Sequence, residues 1–104
     1  ESPTASPMLK YEEIFWDVAE AYWIEGNHLV VDILKRGLAH SLRYGEKEMV
    51  HDFLRSLAQA ALFFGELDRG VTMFVALLQD DPSNIWTYDA LVSGCLEANL
   101  KQLA

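Results

Sequence analysis

The segment that most constrains this chain runs from Gly65 to Tyr88, GELDRGVTMFVALLQDDPSNIWTY. Gly65 breaks a preceding helical pattern, Glu66 and Asp68 put negative charge where a helix N-terminus favours it, and Asp80, Asp81, Pro82, Ser83 and Asn84 form a break and a cap. A helix with hard stops at both ends and a helical pattern on either side is one unit of a helical hairpin repeat. Chains built from such units bind other molecules and seldom do chemistry.

The same periodicity extends along the chain and predicts five helices. The first runs from about Lys10 to Glu25, where Ile14, Phe15, Val18 and Tyr22, with Ala19 beside them, recur at three- and four-residue spacing. Gly26 ends it and Asn27 caps the next, about His28 to Arg43, with Val30, Val31, Leu34, Leu38 and Leu42 inward and Gly45 as its stop. The third, about Glu46 to Phe64, carries Val50, Phe53, Leu54, Leu57, Ala61 and Phe64. The fourth continues to about Gln79, and the fifth, Ile85 to about Leu100, turns Tyr88, Leu91, Val92 and Cys95 to one side. No alternating pattern outlasts four or five residues, so the fold class is all-α, with antiparallel helical hairpins. ESPTASP has nothing to bury, so residues 1–9 read as a flexible lead-in and 10–104 as the single folded domain.

Composition narrows the function. Of 104 residues 51% are hydrophobic, more than a domain of this size readily buries, which leaves two readings: an exposed groove or partner-facing patch, or apolar residues scattered over the surface as on any protein. The formal charge of -8, from 8 Lys and Arg against 16 Asp and Glu, repels phosphate backbones, so nucleic acid is not expected as a partner. The lone Cys95 rules out an internal disulfide framework and a cysteine-based zinc cluster, and its place in an apolar pattern predicts a buried, inert thiol. No apolar run is long enough to span a bilayer and no signal segment is present, so no membrane partner is expected and the localisation expected is cytoplasmic. A start at Glu1 in place of Met reads as a fragment or a processed product.

Catalytic signals are lacking. His28, His40 and His51 lie on three different segments without paired-ligand spacing and read as solvated; Gly65 and Gly70 read as turn and packing positions, not a phosphate loop. Neither a cofactor nor a metal nor a catalytic residue is expected. Glu12, Glu13, Asp17 and Glu20 make an acidic helix face that reads as solvated.

Internal similarity supports a repeat. A shift of 34 residues pairs Leu54 with Tyr88, Leu57 with Leu91, Ala61 with Cys95 and Leu62 with Leu96; a shift of 39 pairs Phe15 with Leu54, Val18 with Leu57, Trp23 with Leu62 and Gly26 with Gly65. In Leu54, Leu57, Ala58, Gly65, Gly70, Phe74 and Pro82, followed by Tyr88 and Leu91, the chain resembles the tetratricopeptide repeat family, whose unit is a helix-turn-helix. Its first unit departs from that pattern, with five extra residues before the third helix and Lys35 where an aromatic like Phe74 is expected. WTYDALVSGCLEAN is similar to the opening helix of a pentatricopeptide repeat, an RNA-reading relative, but it occurs once and the acidic charge opposes RNA.

The resemblance implies a concave surface, lined by the first helix of each hairpin, that receives an extended peptide or a helix. Carried over by alignment, that surface holds Trp16, Glu20 and Trp23 from the first helix, Arg55, Gln59 and Phe63 from the third, and Trp86, Asp89 and Ser93 from the fifth. Aromatic anchors would desolvate a partner side chain while Arg55 and Gln59 bond a carboxylate or backbone. Two other readings stay open: the tryptophans are buried between hairpins, or the same surfaces form a homo-oligomer. The partner expected is a protein or peptide, and the competing class is an accessory or oligomerisation domain of a larger enzyme or regulatory protein.

Overall fold

The computed structural model describes the backbone of residues 7–45 and 47–103 and the side chains of residues 13–45 and 47–99. These residues form five helices: α1 Pro7–Ile24, α2 Leu29–Tyr44, α3 Lys47–Phe63, α4 Leu67–Asp80 and α5 Ile85–Leu103. Strands are absent among the described residues, and the all-α expectation holds. The lead-in through Ser6 and the expected first residue of α3, Glu46, lie outside the described residues. Helix α1 starts at Pro7, ahead of the expected Lys10, because a proline is compatible with a first helical turn, whose N–H groups have no intrahelical acceptor.

Two units divide the chain between Phe53 and Leu54, inside α3. In the first, α1 packs on α2, and the early turns of α3 complete the core. Phe53 is fully buried: Trp16 stacks on its ring at 4.3 Å with the planes 3° apart, and Phe15 meets it edge-on at 6.2 Å. A Cβ on Gly37 would overlap the Phe53 ring, so α2 meets that ring only because residue 37 lacks a side chain. The buried line of α2 is Val30, Leu34, Gly37 and Ser41, a four-three-four spacing. Leu42, expected inward, is 67% exposed; Ser41 takes the inward position, about 100° around the helix. In α1 the same correction applies to Ile14 and Val18, both exposed, while Ala19 is buried and Phe15, Trp16, Tyr22 and Trp23 are half-buried.

The second unit is built on Ala58, Leu62, Phe74 and Leu77, with Leu54, Met73, Ala90 and Leu91 packed around them. Burying each large member contributes about 1.5–3 kcal/mol. A Cβ on Gly70 would come within 2.7 Å of Leu62 Cδ2 and 3.1 Å of the Ala58 carbonyl oxygen, so glycine sets how near α4 lies to α3. Helix α5 presents small residues to the core: Thr87 is 1% exposed, Gly94 is buried beside Leu62 and Gln59, and Ala90 is half-buried. Tyr88, Val92 and Cys95, expected on the inner side, are exposed. Their side of α5 lies opposite the small residues that fit against Leu62.

The turns repeat in detail. Gly26 N donates to Trp23 O and Asn27 N to Tyr22 O, both at 2.9 Å; Gly65 N donates to Leu62 O at 3.2 Å and Glu66 N to Ala61 O at 2.8 Å. Both glycines have positive φ, 67° and 88°, which closes the same left-handed helix stop twice. The 39-residue shift that pairs Gly26 with Gly65 thus superposes identical hydrogen-bond patterns.

Candidate functional site

Asn84 fixes the start of α5. Its Oδ1 accepts from Trp86 N at 2.9 Å, its Nδ2 donates to Asp81 Oδ2 at 3.2 Å, and the Tyr88 hydroxyl donates to Pro82 O at 2.9 Å. The DDPSN break is therefore a hydrogen-bonded cap that sets the rotation of the helix behind it. From there Trp86, Asp89 and Ser93 recur at three- and four-residue spacing along one edge of α5. Trp86 is 62% exposed, Asp89 is exposed and Ser93 half-buried. Glu97, four residues beyond Ser93, accepts a bond from Gln59 Nε2 at 3.0 Å and so brings Gln59 of α3 to the same edge.

The other expected residues of the surface have different settings. Phe63 is half-buried and meets Phe64 edge-on at 5.0 Å. Arg55, expected to bond a partner's carboxylate, is only 6% exposed and is held inside the fold. In the first unit Trp16 is engaged with Phe53, Trp23 is half-buried and Glu20 is exposed. The structure thus joins Gln59 to the Trp86–Asp89–Ser93 edge, gives Arg55 to the interior, stacks the half-buried Trp16 on Phe53, and leaves Glu20 exposed on α1.

No family model, curated protein or solved structure matches this chain.

His28 is exposed as expected, but His51 is only 7% exposed and His40 is half-buried between the rings of Phe15, at 5.8 Å, and Tyr44, at 5.0 Å. Phe15 of α1 and Tyr44, one turn further along α2, make the His40 imidazole a packing group. Among the described residues no three His, Cys, Asp or Glu side chains gather as metal ligands, and no helix is long and apolar enough to cross a membrane. Cys95 is exposed, not buried as the apolar pattern suggested.

Sequence reasoning missed a second edge of α5. Ile85, Tyr88, Val92 and Leu96 are 70%, 46%, 58% and 58% exposed. Their spacing is the signal, but apolar helical spacing equally predicts a buried stripe, as expected for Tyr88 and Val92.

Proposed function

We propose that this chain is a protein-protein interaction module, a short tetratricopeptide-like array of helical hairpins that binds a peptide or helix of a partner without any covalent step. The observation that carries the reading is Trp86, a large aromatic left 62% exposed beside Asp89 on a helix whose start is fixed by the Asn84 cap. A rigidly presented aromatic with an adjacent charge suits recognition: ring burial supplies affinity and the carboxylate supplies selectivity. The twin glycine stops at Gly26 and Gly65 and the close approach at Gly70 support the array, since each is what stacked hairpins require. A single thiol is consistent with the reducing cytoplasm.

The second reading is an accessory or oligomerisation domain of a larger enzyme or regulatory protein. It is favoured by the exposed apolar residues Leu67, Val71 and Val75 on α4, at 46%, 49% and 47%.

Affinity capture with the native chain and with Trp86→Ala separates the two. A partner retained by the native chain and lost by the variant, at unchanged helicity by circular dichroism, is the expected result; equal capture by both would reject the Trp86 edge.

A further inference from the structure

Helix α5 carries an apolar seam on the side away from its own core. Ile85, Tyr88, Val92, Cys95 and Asn99 follow one another at three-, four-, three- and four-residue intervals, all are exposed, and Leu96 adjoins the line. This is the spacing with which one helix packs lengthwise along another, β-branched Ile85 and Val92 alternating with Tyr88 and Cys95. The seam is lined on one flank by Asp89, the position from which a side chain reaches across to a neighbouring helix. Along α5 the chain has Asp89 and Glu97 against a single cation, Lys101, in its last turn. Arg69, the nearest preceding cation in sequence, is within 3.5 Å of Glu66 on its own helix. An apolar line with an acidic flank fits a helix of the opposite kind. It disfavours a second copy, which would set a second Asp89, on a second chain of net charge -8, against this one.

Resting on the interaction reading above, we infer that the α5 seam docks a basic amphipathic helix of a protein partner. Apolar residues of that helix, spaced by three and four, bury against Ile85, Tyr88, Val92 and Leu96, and a lysine or arginine beside them pairs with Asp89. The seam borders the Trp86 edge at Asp89, which the two share, while Ile85, Tyr88, Val92 and Leu96 belong to the seam alone.

Cys95, the only cysteine, lies in the seam and reports its occupancy without mutation. The test measures the rate at which a maleimide modifies Cys95 in the native chain, with and without synthetic amphipathic peptides of roughly 15 residues, long enough to form a helix on binding. One peptide carries leucines at helical spacing with flanking lysines, a second has glutamates for the lysines, and a third is the first with its order scrambled. The lysine peptide is expected to slow modification about tenfold at saturation and to bind at least tenfold more tightly than the other two, with affinity falling as salt rises. Val92→Asp, at an exposed position, should abolish the protection while circular dichroism is unchanged, and Asp89→Lys should reverse the preference between lysine and glutamate peptides.

Equal binding of the lysine and glutamate peptides, or full binding by Val92→Asp, overturns the inference. So does a native dimer by sedimentation that Val92→Asp dissolves, because the seam then belongs to a second copy. Capture of a partner that depends on Trp86, together with failure of every peptide here, would leave the interaction reading standing and remove this one.

Discussion

Phe53 and Gly37 show how much a single residue decides. The ring is fully buried under Trp16 and Phe15, and the backbone of α2 meets it where residue 37 has no side chain. Phe53→Ala removes the stacking partner of Trp16 and should cost about 3–5 kcal/mol, with Trp fluorescence reporting the loss. A midpoint of urea unfolding within error of the native chain would contradict the packing described. Gly70→Ala tests the second unit. Alanine gains roughly 1 kcal/mol of helix propensity, but its methyl would sit against Leu62 and the Ala58 carbonyl, and overpacking of that kind costs about 1–3 kcal/mol. A net loss of stability is expected, because the Ala58 oxygen belongs to α3 and cannot move aside as a flexible side chain would. A variant more stable than the native chain by denaturant titration would show that the helices have room to part.

At the scale of elements, caps and stops were legible in the sequence and buried faces only in part. Asn84 caps α5 as expected, its Oδ1 accepting from Trp86 N at 2.9 Å, while Asn27 lies one residue before the N-cap His28 and its Oδ1 accepts from Leu29 N, also at 2.9 Å. Asn84→Ala should cost about 1 kcal/mol and fray the first turn of α5, seen as faster amide exchange of Trp86 and Thr87; unchanged exchange would mean that the Pro82–Tyr88 bond alone holds the turn. The faces of α2 and α5 were misjudged for one physical reason. Their tight contacts use Gly37, Ser41, Thr87 and Gly94, small residues that let helices approach, while hydrophobic periodicity follows large residues such as Leu42, Tyr88 and Val92, which here point outward. Small residues at helical spacing were the available signal, and only Gly70 was read that way. Of the residues proposed for the surface, the exposure of Trp86 and Asp89 was legible and the burial of Arg55 was not, because a cation in a helical pattern looks solvated whether or not the fold encloses it.

For the whole molecule, charge is the dominant feature. With 16 acidic residues against 8 basic ones, self-repulsion opposes the folded state, so the urea midpoint should rise as sodium chloride is raised from about 10 to 200 mM and the Debye length contracts from roughly 30 Å to below 10 Å. A midpoint that falls over that range would mean that specific ion pairs outweigh the net charge. The exposed position of Cys95 has a practical side as well. A lone accessible thiol oxidises in air to a bond between two chains, since the sequence supplies no second cysteine to close a ring within one. Such a covalent pair would have the mass of a dimer and would shield the very stripe of α5 on which Cys95 sits. Material handled without reductant would therefore pass for a natural dimer with that face already closed.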